Sequence, residues 1–359
     1  MRRTLLGSRL LGILIISVVF CLFTVNTAGA AKVLKFQCAY VKTAGSSQTM
    51  EFLADKVKEY TKGEVELKLY WSGQLVKASE ALTAIQRGMI DGYSGSVLYF
   101  AGTIPEANGH YLPYAWKNPL ELLDIYYNHG FREVTREAFA KHGVLYLTTF
   151  TAAKYGLMSN FPIRKLEDLK GKKMRAVGTG ARVLKEFGAA PVYMLANEAY
   201  TGLQRGTVEG NLYVYYVLQD YKLHEVTKYV IEPPLYSPGM GDIIMSLKVW
   251  NELSPEQQDA FERAAAETTL RSYLYGLVKD EYVLSEFARE KGVEVITLEP
   301  EELERFKKAA APVYDDHAKK SPLCAKQVEI LRAYAQGRGK IKSPQFLPSK
   351  ARIEAMNSK

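Results

Sequence analysis

Hydrophobic and polar positions follow two alternating periods along most of this chain. Period-two alternation predicts strands at 34–40 and 65–70, and the residues between them, 48–60, place apolar side chains at helical spacing. Ser47 before this stretch and Gly63 after it are typical of the two ends of a helix. The pattern therefore predicts a β-α-β unit.

The same order returns in the second half of the chain. Residues 173–177 and 191–195 have strand patterns, and residues 181–187 between them predict a helix that ends at Gly188. Strands that alternate with helices are typical of α/β folds with largely parallel sheets. We therefore expect an α/β fold throughout.

A thirteen-residue segment occurs twice. Residues 80–92 and 198–210, offset by 198 − 80 = 118 positions, are identical at seven of thirteen places. Each copy predicts a helix that ends at a glycine and precedes a short strand, with Ser79 and Asn197 as the N-cap residues. This repeat indicates two lobes built on one plan.

The clearest helix begins at Ser254. Ser254-Pro255-Glu256-Gln257 combines an N-cap serine, a proline at the first helical position and a capping-box glutamine. Between Pro255 and Lys291 only Gly276 interrupts the pattern, and a continuous helix would be about 55 Å long. Such a helix either bridges two lobes or bends near Gly276.

These elements divide the chain into four parts. The expected parts are a signal peptide (1–30), lobe I (31–152 and 241–280), lobe II (153–240 and 281–335) and a C-terminal tail (336–359).

The charge is mildly positive. There are 47 Lys and Arg residues against 39 Asp and Glu residues; without Arg2, Arg3 and Arg9 of the expected signal peptide the balance is 47 − 3 − 39 = +5. Basic residues form no stripe interleaved with aromatic residues, so we expect no nucleic-acid partner. A mild positive charge suits a protein that attracts small anions.

The first thirty residues predict export. Arg2 and Arg3 are followed by the apolar run 10–25 and by Ala28-Gly29-Ala30, the small residues that signal peptidase requires. A membrane anchor is the alternative, but the run is shorter than the roughly 20 residues of a membrane span. We expect cleavage near Ala30 and a periplasmic location.

Two cysteines remain after this cleavage. An oxidising compartment permits a disulfide between Cys38 and Cys324, which would join the two ends of the chain. Two small buried apolar side chains are the alternative.

Signatures of enzymes and metal sites are missing from the sequence. Its histidines are isolated and it has no Cys-x-x-Cys pair, so we expect neither a metal nor another cofactor. Gly178-Thr179-Gly180 lies between a strand and a helix, but Val183 occupies the place of the third glycine of a dinucleotide fingerprint. These features argue against an enzyme.

Arg175 is the main candidate for ligand binding. It lies late in the strand 173–177, and in open α/β sheets ligands bind at that edge. An arginine there can hold a carboxylate with two parallel hydrogen bonds, a geometry that lysine cannot reproduce. A solvated surface charge is the alternative interpretation.

Tyrosines form a second pattern. They lie at or just after the predicted strands, and tyrosine combines a flat apolar body with a hydroxyl that can bond a ligand. Each could equally pack in the core; together they favour a cleft with aromatic walls. They are Tyr40, Tyr93, Tyr155, Tyr213, Tyr215 and Tyr216.

Several segments of the sequence resemble a known family. Leu166 to Arg175, Gly188 to Val192 and Glu198 to Gly210 are similar to the periplasmic solute-binding proteins of TRAP (tripartite ATP-independent periplasmic) transporters, the DctP type or family 7. Trp71 to Leu75 and Leu112 to Tyr114 add matches in the first lobe. The resemblance covers nearly the whole mature chain.

The resemblance implies a two-lobed periplasmic binding protein fold, with hinge strands and a long lobe-bridging helix. It also implies an organic acid held by Arg175. Many members carry a second arginine where this chain has Tyr155, and their asparagine falls near Tyr213, with Asn211 close by. These departures predict a ligand with one carboxylate and a less polar body. Ligands with an aromatic body belong to this predicted class.

The expected function is capture of this acid and delivery to the small and large TRAP membrane subunits. A sensory binding module and a periplasmic enzyme are the alternatives, and the sequence does not decide the oligomeric state, although a monomer is favoured. The expected site combines residues of both lobes: Arg175, Tyr155, Asn197, Asn211 and Tyr213 from the second, and Tyr40, Tyr93 and Ser96 from the first.

Overall fold

The computed structural model describes residues 30–337. The expected signal peptide, apart from Ala30, and the tail beyond Gly337 lie outside the described residues.

The described residues alternate strands and helices from end to end. The strands are β1 (Lys32–Cys38), β2 (Val65–Tyr70), β3 (Gly92–Gly95), β4 (Val144–Ser159), β5 (Lys173–Arg175), β6 (Ala190–Val192), β7 (Gly210–Val214), β8 (Tyr229–Glu232), β9 (Tyr236–Ser246) and β10 (Glu294–Thr297). The α-helices are α1 (Gly45–Tyr60), α2 (Ala81–Gln86), α3 (Pro119–Asn128), α4 (Phe131–Ala140), α5 (Gly178–Glu186), α6 (Ala199–Gln204), α7 (Val217–Asp220), α8 (Leu247–Asn251), α9 (Pro255–Tyr282), α10 (Ala288–Glu290), α11 (Pro300–Ala310), α12 (Pro312–Ala318) and α13 (Pro322–Ala335). Short 3₁₀ segments lie at Ala78–Glu80, Val97–Phe100, Pro105–Tyr111, Leu166–Leu169, Ala196–Glu198 and Leu223–Glu225, and a π-helical segment at Val283–Phe287.

The strands form one hydrogen-bonded network with two parallel ends. Its order is β2-β1-β3-β9-β4-β7-β5-β6, and β8 pairs with β4 and β10. The first lobe is built on parallel β1, β2 and β3, and the second on parallel β5, β6 and β7. The two-lobed α/β fold expected from the sequence is thus confirmed.

Two long antiparallel strands connect the lobes. Val144 to Phe150 of β4 pairs with β9 next to β3, whereas Tyr155 to Ser159 pairs with β7. Register shifts interrupt the β4–β9 ladder between Phe150 and Tyr155, where the strands pass from one lobe to the other. An irregular ladder bends more easily than a regular one, so this segment is suited to act as a hinge.

Helix α9 bridges the same junction. It continues through the buried Gly276 without ending, and the π-helical segment follows only after Tyr282. Thr269 Oγ1 donates to Thr149 O (2.6 Å), and Asp280 farther along α9 accepts from Lys154 N. The helix is therefore fixed to β4 on both sides of the hinge.

The last described helix packs against helices of the first lobe. Helix α13 packs on α3 and α4, where the Tyr334 ring meets His129 edge-on at 5.0 Å. The lobe boundaries expected from the sequence stay a prediction.

The repeated segment folds in the same way twice. α2 and α6 each have six residues, follow a 3₁₀ turn, and precede a left-handed glycine at φ 69° (Gly88 and Gly206) and then β3 or β7. The predicted caps are wrong, because Ser79 and Asn197 lie within the 3₁₀ turns. The helices have no side-chain cap bond.

The two cysteines of the described residues lie in different elements of the fold. Cys38, in β1, and Cys324, in α13, are both buried and both free, so the described structure has no disulfide between them. Burial raises the pKa of the Cys38 thiol and that of Cys324, the latter to about 11. Among the described residues, no helix has the length and apolarity that a membrane crossing requires.

We predict that both thiols are free and unreactive in the folded protein. A thiol reagent should label neither Cys38 nor Cys324 in the native mature protein, because the reactive thiolate is suppressed by burial. In denaturant without reductant it should label both, as read by intact mass. A denatured protein that gains no label until a reductant is added would contradict this.

Candidate functional site

A cavity lies between the two lobes. Residues from both lobes and from the hinge strands line it. They are Tyr40, Ser46, Ser96, Leu98, Tyr99, Tyr111, Tyr155, Arg175, Val177, Tyr213, Val214, Tyr216, Met240 and Gly241. Arg175 is the one formally charged residue in this lining.

Arg175 reaches the cavity because β5 ends there. It is the last residue of the strand and pairs in register with Val192 and Asn211. The chain then turns at Gly178, whose φ of +57° favours glycine, and a Cβ there would come within 2.8 Å of Leu98 in the first lobe. The glycine thus permits a tight turn against the opposite lobe.

The main chain fixes the guanidinium. Arg175 Nε donates to Met194 O at 3.0 Å and Nη1 to Leu212 O at 3.4 Å, and its Cζ lies 4.9 Å from the Tyr213 ring centroid. The side chain is 1% exposed. Among the described residues, its electrostatic neighbours are tyrosines rather than a carboxylate. A buried positive charge without an anionic partner is costly, so the site favours an anion.

The tyrosines around Arg175 remain neutral. Burial raises the pKa of Tyr155 to about 12, although Arg175 opposes the shift, and burial raises the pKa values of Tyr40 and Tyr213 well above their usual range. At neutral pH these hydroxyls therefore carry their protons. The walls can donate hydrogen bonds without adding negative charge.

A buried carboxylate holds the first lobe's wall. Asp242 Oδ2 accepts from Tyr111 Oη (2.8 Å) and from Val97 N (3.0 Å), and Oδ1 accepts from Tyr146 Oη (2.7 Å). His110 Nδ1 lies 3.5 Å away, but burial lowers the pKa of His110 to about 3 and leaves it neutral. Asp242 thus fixes Tyr111 at the cavity through hydrogen bonds.

The structure brings five of the eight predicted site residues together in the lining of the cavity and leaves three outside this lining. Arg175, Tyr155, Tyr213, Tyr40 and Ser96 line the cavity.

Tyr93, Asn211 and Asn197 do not line the cavity, and their role in binding stays a prediction. Tyr93 is fully buried and packs edge-on against Phe100, because β3 is central in its sheet. Asn211 is fully buried beside Arg175, and neither of its amide atoms has a partner among the described residues. Asn197 is exposed and donates to Ser72 Oγ at 3.1 Å.

Sequence reasoning missed Ser46, Tyr99 and Tyr111 as lining residues, and noted Tyr216 only as part of the tyrosine pattern. Tyr99 and Tyr111 lie in 3₁₀ turns, which have no strong periodicity. Tyr111 directly precedes Leu112-Pro113-Tyr114, so that motif was the available signal.

Residues 41–321 match the family model for DctP, the bacterial extracellular solute-binding proteins of family 7. The match covers most of the chain. The chain belongs to the DctP family of TRAP periplasmic solute-binding proteins. Members of this family are binding proteins of transport systems and act outside the cytoplasmic membrane. This protein is therefore located outside that membrane.

Relatives of known name bind different acids. A monocarboxylate 2-oxoacid-binding periplasmic protein of Nostoc sp. is 24% identical over 309 residues, 82% of each chain. A sialic acid-binding periplasmic protein of Vibrio cholerae is 26% identical and aligns with 74% of this chain and 82% of its own. A Bordetella pertussis receptor structure with pyroglutamic acid has a TM-score of 0.77 at 20% identity, covering 84% of this chain and all of its own. The structural likeness shows a shared fold.

The lobes of this DctP-family protein touch around the cavity. Ser46 Oγ lies 3.1 Å from Tyr216 Oη, and Ala196 N donates to Tyr99 Oη at 3.3 Å. Together with the Asn197–Ser72 bond at 3.1 Å, these contacts join the two lobes directly. The structure is that of a closed binding protein.

We predict a pH-dependent contribution of Asp242 to stability. Burial raises its pKa from 3.8 to about 6, so between these values the folded protein keeps a proton that the unfolded chain has released. The free energy of unfolding of the wild type, relative to Asp242→Asn, should therefore fall as pH rises from about 4 to 6 and then level off. Urea unfolding of both proteins at pH 4, 5, 6 and 7.5 measures this difference. A difference that stays constant or grows with pH would contradict the assignment.

Proposed function

We propose that this protein captures a small organic acid with one carboxylate and a less polar body, and delivers it to the membrane subunits of a TRAP transporter. The observation that carries the proposal is the buried guanidinium of Arg175, the one charged group lining the cavity, without an anionic partner among the described residues. We also propose that residues 1–30 are its cleaved signal peptide.

A ligand carboxylate would supply the missing counter-charge. Because two of the five N–H groups of Arg175 bond main-chain carbonyls, the plane of the guanidinium is fixed before the ligand arrives. A pre-oriented guanidinium can form charge-assisted hydrogen bonds with little further loss of side-chain entropy.

The rest of the lining favours a ligand with a single negative charge. Tyr155 stands where the resemblance places a second arginine in many family members, and it offers a neutral hydroxyl. Leu98, Val177 and Met240 add apolar surface. A second carboxylate would enter this cavity without a cation to meet it, and its desolvation would be costly. The printed name of the Nostoc relative, a monocarboxylate binder, supports the same ligand class.

Closure follows from contact with both lobes. A ligand held by Arg175 in the second lobe also meets Tyr40 and Ser96 of the first. Its affinity for the closed state therefore exceeds that for the open state, and binding shifts the population toward closure. The membrane subunits would then distinguish loaded from empty protein by shape, and no covalent step is needed.

Arg175→Ala should abolish most binding. Removal of one partner of a desolvated charge pair costs about 2 to 5 kcal/mol, which corresponds to a roughly 30-fold to several thousand-fold weaker Kd. A thermal-shift screen against organic acids identifies the ligand, and calorimetry then compares the variants. Arg164→Ala, which removes an arginine whose side chain is 64% exposed, is the matched control and should bind normally. A loss below threefold in a folded Arg175→Ala protein would refute the proposal.

Monocarboxylates should stabilise the protein more than dicarboxylates of similar size. We expect 2-oxobutanoate, pyroglutamate or benzoate to raise Tm more than malonate or succinate at equal concentration, because the lining holds one cation. A ligand at 100 times its Kd stabilises by about 2.7 kcal/mol, which thermal shift detects readily. Preferential stabilisation by dicarboxylates would contradict the ligand class but leave the transport role untouched.

A further inference from the structure

Helix α1 begins without a cap from its own sequence. Its N-cap residue is Ala44, whose side chain cannot accept a hydrogen bond, and the helix starts at Gly45 rather than after Ser47 as the sequence predicts. Ser47 lies inside the helix and donates to Val41 O at 2.7 Å. The first N–H groups of α1 therefore need an acceptor from elsewhere.

The acceptor comes from the opposite lobe. Gly45 N donates to Asp220 Oδ2 at 2.8 Å, and Asp220 ends the short helix α7 that follows β7. The next residue, Ser46, meets Tyr216 Oη at 3.1 Å, also across the lobes. Residues 216–220 of the second lobe thus cover the first turn of α1.

Close packing favours glycine at this junction. A Cβ at position 45 would come within 2.7 Å of Tyr275 Oη on α9. The absence of a side chain lets the start of α1 fit between α9 and Asp220.

The charge on Asp220 suits its place. A carboxylate at the start of a sixteen-residue helix interacts favourably with the partial positive charge of its free N–H groups. The Asp220 side chain is only 5% exposed, and Lys279 Nζ on α9 lies 3.4 Å from its Oδ1. Partial burial strengthens both interactions relative to a solvated surface pair.

We propose that Asp220 is a positioning residue for closure, which caps α1 across the cleft and so raises ligand affinity without touching the ligand. When the lobes separate, Gly45 N–H and the Asp220 carboxylate both return to water. The bond therefore favours the closed state alone, and ligand affinity rises with the population of that state. The link to affinity rests on the proposed binding function; the effect on closure does not.

Closure can be measured without any ligand. Asn197 and Ser72 meet across the cleft at 3.1 Å, so the double variant Ser72→Cys/Asn197→Cys carries two thiols that approach when the lobes close. Its disulfide equilibrium in a glutathione redox buffer, read by intact mass, gives the effective concentration of one thiol at the other. Cys38 and Cys324 are buried and do not compete.

Asp220→Ala in this background should lower the effective concentration by about 5- to 30-fold, the range expected for loss of a cap and of a helix-terminal charge. Asp220→Asn keeps an acceptor oxygen but loses the charge, so it should fall between Asp220→Ala and the parent. Asp55→Asn, which changes an exposed carboxylate on α1 itself, is the matched control and should leave the equilibrium unchanged. Circular dichroism and Tm confirm that each variant is folded.

Equal effective concentrations in Asp220→Ala and Asp55→Asn would overturn the proposal. So would a parent double variant that forms no disulfide, since the lobes would then not reach the arrangement on which the cap depends. Because the equilibrium compares two folded states, a purely structural role of Asp220 within the second lobe would not move it. The outcome is also independent of the identity of the acid, so it separates failure of the cap from failure of the proposed function.

Discussion

The buried positive charge of Arg175 is the constraint on which this site depends. The guanidinium is held by carbonyl oxygens of Met194 and Leu212 and by the face of Tyr213, and none of these neutralises it. A fold that keeps such a group at 1% exposure pays in stability, and an arriving carboxylate offsets that cost. The rest of the cavity lining is neutral, so Arg175 is the residue of this lining that favours an anion.

The first lobe also contains a buried charged group, but this group is negative and its charge is stabilised by hydrogen bonds within the lobe. Asp242 is also fully buried, but it accepts three hydrogen bonds, two of them from Tyr111 and Tyr146, which stabilise its charge within the first lobe. The charge of Asp242 is stabilised within the wall, whereas that of Arg175 has no carboxylate partner among the described residues. The two lobes meet through β4, β9 and α9, and the proposed cap of Asp220 on α1 would add to the closed state at a distance from the acid.

Local sequence rules located most of the elements and the main residue of the site. Arg175 was found because a strand pattern followed by a glycine turn places its last residue at the ligand edge of a sheet. Tyr155 and Tyr213 followed from strand positions in the same way. Asn197 and Tyr93 do not line the cavity, because the depth of a side chain depends on which strand or lobe packs over it, and that is a long-range property.

The sequence by itself determined the α/β lobes, the repeated helix-strand unit, the capped start of α9 and the presence of an inward arginine, since each depends on neighbours within a few residues. Only the tertiary structure decided that α9 passes Gly276 unbroken, that Cys38 and Cys324 stay apart, and that α1 begins at Gly45. Each of these depends on a partner far away in the chain. Asp220 is the clearest case, because a helix cap supplied 175 positions away leaves no pattern near the helix that it caps.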